Sequence, residues 1–420
     1  MINRVKGTQD LLDLALFNYL CEKVKKQFEI YNFNEISTPI LEPLDLYIRS
    51  LGEETDVLKK EMYLVKGDNK ESASSEDVIC LRPEATASTV RAFIENNIIN
   101  TPWKVFSIGP MFRHERPQKG RYRQFHQINL EIIGSKAIEQ DVQLIKMLDR
   151  LFFETLAIEN YALLINFLGC VEDRKKFKII LDKFLEAKLD TICATCKVRK
   201  DKNIMRVFDC KGEGCTALYQ EAPSIIDCLC ENCKVEWQSI LDNLEHLSVS
   251  YSIKKTLVRG LDYYSKTVFE FVSGDLGAQN AFCGGGRYDQ LALEIGAKED
   301  QPSVGAAIGI ERLMLVLDAI KDKPVMGYKL PLFVIMPMSK EQHPLALLLA
   351  DELQANKLCC DILLEGDSVK SMMRKANKMG AKFVIIVGED EQKNRMVTVK
   401  NMITGSEEKI AQAKLVEYLK

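Results

Sequence analysis

The sequence has little net charge, few histidines and no long apolar run, and each shortage excludes a class of protein. Its net charge is -3 over 420 residues, so any nucleic acid must be bound by local basic patches rather than by a uniformly basic surface. No segment approaches the roughly 18 apolar residues of a membrane span, and the opening residues lack the apolar core of a signal peptide. We therefore expect a cytoplasmic protein that is not held in a membrane. The four histidines form no pattern typical of a metal site or a nucleophilic triad.

Cysteine, by contrast, is abundant. The chain has 13 cysteines, and in a reducing compartment these are expected to be free thiols or metal ligands rather than disulfides. A segment rich in Lys, Glu and Cys contains the pairs Cys193-x2-Cys196 and Cys230-x2-Cys233. Two CxxC pairs indicate a tetrathiolate zinc site with these four cysteines as ligands, and ordinary buried cysteines are the alternative.

The pattern of the chain predicts two domains and an insertion. Residues 171–250 are helical in period and interrupt two β-rich blocks, so we predict an inserted helical subdomain within a first domain at 1–322. Strands are expected at Lys255–Val258 and Lys266–Val272, followed by a glycine-dense turn at Cys283–Arg287. A linker is predicted at 321–330. Beyond it, strands and helices alternate over 330–420, which favours a small α/β domain.

The stretch MFRHERPQKGRYRQFHQINLE, from Met111 to Glu131, is typical of a hairpin with a basic loop. Four residues of the return strand alternate in sequence and are therefore expected on one face: Phe125, Gln127, Asn129 and Glu131. The connecting loop is basic and contains Arg116, Lys119, Arg121 and Arg123. Such a hairpin can clamp a polyphosphate, stack a base and hold a small polar molecule, whereas the alternative is a surface hairpin with a solvated tip.

Further strings carry candidate ligand-binding groups. In RPEAT, Glu84 and Thr86 could hold a protonated amine, and the alternative is that Thr86 caps the helix that follows while Glu84 is a solvated acid. In LVRGLDYYSKTVFE, Arg259 could stabilise charge developing on a phosphate, and a tyrosine hydroxyl could bind an imidazole nitrogen. The alternative there is a structural Arg–Asp pair with core tyrosines. In GAAIGIER, small residues lead into a helix whose first turn presents Arg312, which suits base stacking or phosphate pairing.

Together these strings resemble the class II aminoacyl-tRNA synthetases, and LVRGLDYY and CGGGRYD resemble their histidine-specific branch. The hairpin is similar to motif 2, GAAIGIER to motif 3, and the segment from Phe33 to Glu42 to motif 1. The resemblance extends from Lys6 to the end of the chain and departs from the family at Ala85 and Gln290, where glycine is usual. It implies an α+β fold: an antiparallel-sheet catalytic domain with a helical insertion, and a C-terminal α/β anticodon-binding domain.

The resemblance also implies a reaction and a role for each site residue. L-histidine would be activated by ATP with Mg²⁺ to histidyl-adenylate and then transferred to tRNA(His), with Arg259 and Arg113 as catalytic residues. Histidine would be bound by Glu84, Thr86, Gln127, Glu131, Arg259, Tyr263 and Tyr264. ATP would be bound by Arg113, Glu115, Arg121, Phe125 and Arg312. The acceptor end of the tRNA would meet Arg116, Gln118 and Arg123, the insertion would contact the acceptor stem, and the chain would form a homodimer.

Two other interpretations remain at this point. One is a non-catalytic relative that senses histidine or regulates another enzyme, which the presence of Arg113, Arg259 and Arg312 argues against. The other is a class II enzyme of different specificity, such as proline or threonine, which the LVRGLDYY string opposes.

Overall fold

The chain divides into two compact units, Met1–Met326 and Gly327–Lys420, which are described separately. The computed structural model describes residues 2–52, 55, 57–65, 78–277, 280–320 and 330–420. Apart from Leu330, the predicted linker lies outside these residues. Among the helices described, none is both long and apolar enough to cross a membrane.

The first unit is built on an eight-stranded sheet with the order β1-β5-β6-β11-β10-β9-β7-β8, beside a small sheet with the order β2-β4-β3. The strands of this unit are β1 Asn34–Glu35, β2 Leu41–Pro43, β3 Tyr63–Val65, β4 Ile79–Leu81, β5 Trp103–Phe112, β6 Gln124–Ile133, β7 Ala162–Phe167, β8 Ser252–Ile253, β9 Ser265–Val272, β10 Ala281–Arg287 and β11 Ser303–Gly309. All inner pairs are antiparallel, and only the outermost strands, β1 and β8, pair in parallel. The predicted antiparallel catalytic sheet is thus confirmed.

Helices cover one face of this sheet and form the insertion. Those of the first unit are α1 Ala15–Ile30, α2 Leu44–Leu51, α3 Thr86–Glu95, α4 Glu139–Arg150, α5 Val171–Glu186, α6 Ala194–Lys202, α7 Glu213–Gln220, α8 Glu231–His246, α9 Leu291–Glu294 and α10 Ile310–Asp318. Helices α1, α4 and α10 pack their apolar side chains on the sheet, where Phe152 contacts Phe271 and Phe282 edge to face. Helices α5–α8 form the insertion, in the segment where the sequence predicts one.

Two sequence predictions in this unit are wrong. Lys255–Val258 is a turn and irregular backbone rather than a strand. Its carbonyl groups do not pair with a neighbouring strand, since those of Lys255 and Leu257 accept hydrogen bonds from the side-chain amide of Asn166 at 3.2 and 2.9 Å. Cys283–Arg287 is not a turn but most of strand β10. Its glycines serve close packing, since a Cβ on Gly285 would lie 2.1 Å from the carbonyl oxygen of Gly305 on β11.

The second unit is a five-stranded, partly parallel sheet with the order β13-β12-β14-β15-β16. Its elements are β12 Phe333–Pro337, α11 His343–Ala355, β13 Cys360–Ile362, α12 Val369–Lys378, β14 Phe383–Val387, α13 Glu389–Lys393, β15 Met396–Asn401, β16 Glu407–Ala411 and α14 Leu415–Leu419. The alternation of strands and helices predicted over 330–420 is present, and the sequence pattern is weakest at β16. That edge strand reads EEKIA and is mostly exposed, so it lacks the apolar alternation by which a strand is recognised.

Candidate active site

The candidate site is a cavity of about 550 Å³ on the face of the large sheet. Strand β6 supplies its floor, because Phe125, Gln127 and Asn129 alternate along the strand and all line the cavity. Glu131 is the next residue on the same face and is fully buried. The face predicted from the period-two pattern is therefore the face that the structure turns toward the cavity.

Glu131 is the centre of a buried hydrogen-bond network. The Thr86 hydroxyl donates to one carboxylate oxygen at 2.8 Å, and the Tyr288 hydroxyl donates to the other. Burial raises the pKa of Glu131 to about 8. The carboxylate fits only because residue 305 on the paired strand is glycine, since a Cβ there would lie 1.6 Å from Oε2.

Glu84 caps the helix that begins beside it. Its carboxylate accepts the backbone N–H groups of Thr86 and Ala87 at 2.7 and 2.9 Å, which are first-turn donors of α3 without partners in the helix. The alternative expected from the sequence is therefore wrong in both parts, because the cap is Glu84 rather than Thr86 and Glu84 is buried rather than solvated. Both residues also line the cavity. Burial raises the pKa of Glu84. Ala85 has a φ of -112°, so the residue that replaces the usual glycine is unstrained.

Arg259 lies in the cavity beside an acidic partner. Its Nη1 donates to the Glu270 carboxylate, and its guanidinium carbon lies 5.8 Å from the centre of the Tyr264 ring. The Tyr264 ring also packs against the Tyr263 ring at a tilt of 43°, with ring centres 4.6 Å apart, and both rings line the cavity. The charged head of Arg259 is therefore held in place by Glu270 and an aromatic wall.

Two of the arginines lie near Phe125 and the hairpin. The Arg113 guanidinium is 5.4 Å from the centre of the Phe125 ring, and its Nε donates to the Pro83 carbonyl at 2.9 Å. Arg121 forms an ion pair with Glu115. Both arginines and Glu115 line the cavity, so the structure brings together the cationic residues expected to meet phosphates.

Arg312 comes from α10, on the other side of the hairpin. Its guanidinium donates to the carbonyls of Gly120 and Ala281 at 3.2 and 2.5 Å. These contacts tie the hairpin loop to the first turn of α10 and leave the flat guanidinium lining the cavity with Phe125. An aromatic ring and a planar cation in one cavity suit a flat heterocycle such as a nucleobase.

Several buried polar atoms at the cavity have no hydrogen-bond partner within the part of the chain that the structure describes. They are Oε1 of Gln127, Oδ1 and Nδ2 of Asn129, and Nε of Arg259. An unpaired buried donor or acceptor costs about 1–3 kcal/mol. Their concentration in one cavity indicates a site for a polar ligand that supplies the missing partners.

The three residues expected to meet tRNA lie outside the cavity lining. Arg116 and Gln118 are exposed at the hairpin tip, which closes through backbone hydrogen bonds between Gln118 and Arg121. Arg123 differs, because its guanidinium donates to the carbonyls of Lys6 and Glu115, both at 3.2 Å. It therefore anchors the N-terminal segment to the hairpin, and Arg116 and Gln118 are the more accessible of the three.

Sequence reasoning assigned no role to Asn129, Glu270 or Tyr288. Asn129 belongs to the alternating face of β6 and could have been included on that basis. Glu270 is the one charged residue in the apolar part of β9, TVFEFV, which is itself a signal of a buried partner. Tyr288 follows the glycine run, and only the fold shows that its hydroxyl reaches Glu131.

The predicted grouping of the cysteines is wrong, because the two CxxC pairs belong to different clusters. Cys193 and Cys196 lie with Cys210 and Cys215. Cys230 and Cys233, which begin α8, lie instead with Cys170 and Asp173 at the start of α5. The reason is topological, since each pair opens a helix and the two helix starts meet different partners: α6 meets the start of the next helix, α7, whereas α8 meets the start of the distant α5.

The class of the protein follows from this arrangement. An antiparallel sheet that carries a basic hairpin, a buried acidic network and an arginine on the helix after the last strand defines a class II aminoacyl-tRNA synthetase catalytic domain. A family model for histidyl-tRNA synthetase matches residues 13–313, and a model for the anticodon binding domain matches residues 333–420. The chain belongs to the histidyl-tRNA synthetase family.

Individual relatives agree with this assignment. The chain is 41% identical over 421 residues to a histidine–tRNA ligase of Thermodesulfovibrio yellowstonii, covering 99% of this chain and 97% of that one. It is 42% identical to a histidine–tRNA ligase of Desulfotalea psychrophila, covering 96% and 91% of the two chains. The apo crystal structure of Staphylococcus aureus histidyl-tRNA synthetase is similar with a TM-score of 0.79 and 32% identity, covering both chains completely.

The fold alone is less specific. A Bacillus halodurans structure titled as an ATP phosphoribosyltransferase regulatory subunit/histidyl-tRNA synthetase has a TM-score of 0.63 at 18% identity, over 92% of this chain and 98% of its own. The shared fold therefore does not separate a catalytic chain from a regulatory one, and the site residues must do so.

Proposed function

We propose that this chain is a histidine–tRNA ligase, which joins histidine to ATP as histidyl-adenylate and then esterifies tRNA(His). The observation that carries the proposal is the division of one cavity into two chemical ends. One end is lined by Thr86, whose hydroxyl donates to the buried Glu131, itself bonded to the buried Tyr288. The other end is lined by Phe125, Arg113 and Arg312, and Arg259 lines the cavity beside Tyr264. A small polar amino acid suits the first end and a nucleoside triphosphate the second.

Histidine is assigned to the buried end because imidazole can bind a carboxylate and a hydroxyl at once. Glu131 and Tyr264 are proposed to hold the two ring nitrogens, while Glu84, Thr86 and Gln127 hold the ammonium group, with Tyr263 packing beside them. An apolar amino acid would leave these buried groups unpaired. Such sites can reject a substrate that lacks the matching polar group by about 10⁴-fold or more, so accuracy does not require an editing domain.

The arginines are assigned to the reacting phosphate. A carboxylate oxygen of histidine attacks the α-phosphorus, the bond to the bridging oxygen breaks, and pyrophosphate leaves with its electron pair. Negative charge grows on the α-phosphate oxygens, and Arg113 and Arg259 are proposed to stabilise it. In the structure each lies near a carboxylate, Glu115 and Glu270 respectively, so arriving phosphates would compete with these acids for the guanidinium groups.

The rest of ATP is assigned to the hairpin side of the cavity. Phe125 and Arg312 would sandwich adenine, Glu115 would bind the adenine or its ribose side, and Arg121 would reach the outer phosphates. Mg²⁺ bound with ATP would neutralise part of the triphosphate charge. The oxygen donors it prefers are present as the carboxylates of Glu115 and Glu270, both of which line the cavity.

Transfer to tRNA is assigned to surfaces around the cavity. In the second step a terminal ribose hydroxyl attacks the adenylate carbonyl and AMP leaves. Arg116, Gln118 and Arg123 are proposed to guide the acceptor end, the insertion to contact the acceptor stem, and the C-terminal unit to bind the anticodon by stacking and base-edge contacts. Translation takes place in the cytoplasm, so we expect the protein there.

We also propose that the chain is a homodimer joined near the small sheet. Leu41, Val65 and Ile79 are 52%, 40% and 44% exposed, and the pairing register puts them on one face of that sheet. An exposed apolar sheet face next to the motif 1 segment suits a symmetric interface. Sedimentation of Ile79→Asp against wild type tests it, and an unchanged dimer would contradict this location.

Amino-acid-dependent exchange between ATP and pyrophosphate tests the proposed function. With each proteinogenic amino acid supplied singly and no tRNA, we expect exchange with histidine alone. Exchange with proline or threonine would contradict the specificity. Histidine binding by folded protein without any exchange would instead establish the regulatory alternative.

A further inference from the structure

Four cysteines of the insertion converge on one point. The Sγ atoms of Cys193, Cys196, Cys210 and Cys215 all lie within 4.8 Å of one another, and those of Cys193 and Cys210 are 3.9 Å apart. A tetrahedral zinc with Zn–S bonds of about 2.3 Å requires sulfurs about 3.8 Å apart. A disulfide requires about 2.05 Å, and these cysteines are free thiols.

The backbone around the sulfurs also suits thiolates. Cys193 is the residue before α6 and Cys196 lies in its first turn, where the helix dipole favours negative charge. The N–H groups of Cys193 and Gly212 point at the sulfurs of Cys215 and Cys210 at 3.2 and 3.4 Å. Donors of this kind orient metal-bound thiolates and offset their charge.

We propose that Cys193, Cys196, Cys210 and Cys215 bind one zinc ion. Four soft ligands in a tetrahedron select zinc among common cellular metals and leave no open position, so the ion is structural rather than catalytic. Three of the cysteines are buried and Cys193 is exposed, which gives a metal a route of entry.

The second cluster, formed by Cys170, Asp173, Cys230 and Cys233, is held together by hydrogen bonds that require no metal. The carboxylate of Asp173 accepts the N–H groups of Cys170 and Cys230 at 3.2 and 2.8 Å, so it caps the helix starts of α5 and α8 together. The four-cysteine cluster, within the part of the chain that the structure describes, contains sulfur ligands alone and no carboxylate in the place of Asp173. We therefore expect a metal in the four-cysteine cluster and none in the cluster that contains Asp173.

The proposed ion would fix the segment that joins the insertion to the catalytic cavity. Arg206 lies between ligands Cys196 and Cys210, and its Nε and Nη2 donate to Asp262 at 3.0 and 2.9 Å. Asp262 belongs to the loop that carries Arg259. Arg206 and its neighbour Asp209 also line the cavity. This consequence rests on the proposed function, since it gives the ion a part in holding the histidine-binding loop.

Metal content and cobalt spectra of the full-length chain test the site independently of activity. We expect about one zinc per chain in wild type and, after exchange to Co²⁺, the thiolate charge-transfer and tetrahedral d–d bands of four sulfur ligands. Cys196→Ser combined with Cys215→Ser should remove both signals. Cys359→Ser, which changes an exposed cysteine of the other unit, should keep them.

Two results would overturn the proposal. The first is wild-type protein that carries no zinc as purified and shows no thiolate band when titrated with Co²⁺, a result that does not depend on a variant folding. The second is a metal that stays in the double variant and is lost in Cys233→Ser, which would place it in the other cluster. Wild-type protein that binds the metal but shows no histidine-dependent exchange would count against the proposed function and not against the zinc site.

Discussion

The catalytic cavity and the helical insertion both concentrate reactive side chains, but the sequence predicts which side chains come together in the cavity and does not predict it in the insertion. In the cavity, ligands come from contiguous strings on regular strands, so spacing in the sequence becomes spacing on one face of a sheet. In the insertion, ligands come from the ends of separate helices, so spacing reports which residues share a helix start but not which helix starts meet. The lesson is that short-range pattern predicts faces, whereas pairing of distant segments needs the fold.

The largest expected effect is on catalysis in the cavity. Arg259→Ala should lower histidine-dependent exchange about 10³-fold or more, because charge developing on the α-phosphate loses a preorganised donor. Arg374→Ala, which changes an exposed arginine of α12, should leave exchange within twofold of wild type, by the small effect usual for surface substitutions. Steady-state exchange at saturating histidine and ATP measures both, and similar losses in the two variants would refute the assigned role.

A smaller effect is expected at the buried end. Glu131→Gln keeps the shape of the side chain but replaces one acceptor oxygen by an NH2 group that cannot accept a hydrogen bond, so the KM for histidine should rise about 10–100-fold. The matched control is Glu159→Gln at an exposed position. A KM that does not move, with histidine still the preferred substrate, would show that Glu131 does not contact the substrate.

The pH dependence of stability follows from the same carboxyl group. Its folded-state pKa is raised to about 8 from 4.5 by burial, so its favourable contribution is complete below pH 4.5 and is lost as the pH rises through 8. Relative to Glu131→Gln, wild type should therefore lose on the order of 5 kcal/mol between these pH values, at about 1.4 kcal/mol for each pH unit. The Tm of wild type minus the Tm of the variant should therefore fall steadily as the pH rises across that range, and a constant difference would disprove the shift.

The smallest effect is expected at the ion pair that joins the insertion to the cavity. Arg206→Ala should raise the KM for histidine about threefold, because a partly exposed ion pair with Asp262 contributes little, up to about 1 kcal/mol. Removal of the zinc ligands Cys196 and Cys215 should raise KM by a similar factor. If the metal acts through Arg206, the combined variant should be no worse than either alone, whereas additive losses would mean separate effects.

Most of the cavity could be predicted from the sequence, and the exceptions have physical reasons. Phe125, Gln127 and Glu131 follow from strand alternation, but the partner Tyr288 is 157 residues from Glu131, a separation at which the sequence alone does not show which residues meet. The glycine run at 283–287 predicts a turn, because glycine usually marks flexible backbone. In the sheet it permits close packing between neighbouring strands instead.

The central claim is that this cavity activates histidine, and single-turnover detection of the intermediate tests it most directly. Protein in excess over ATP, mixed with histidine and no tRNA, should yield enzyme-bound histidyl-adenylate by mass spectrometry after quenching. The same mixture with Arg259→Ala should yield almost none on that time scale, while Arg374→Ala should match wild type. Absence of histidyl-adenylate from wild-type protein that binds both substrates, or formation of a different aminoacyl-adenylate instead, would contradict the account.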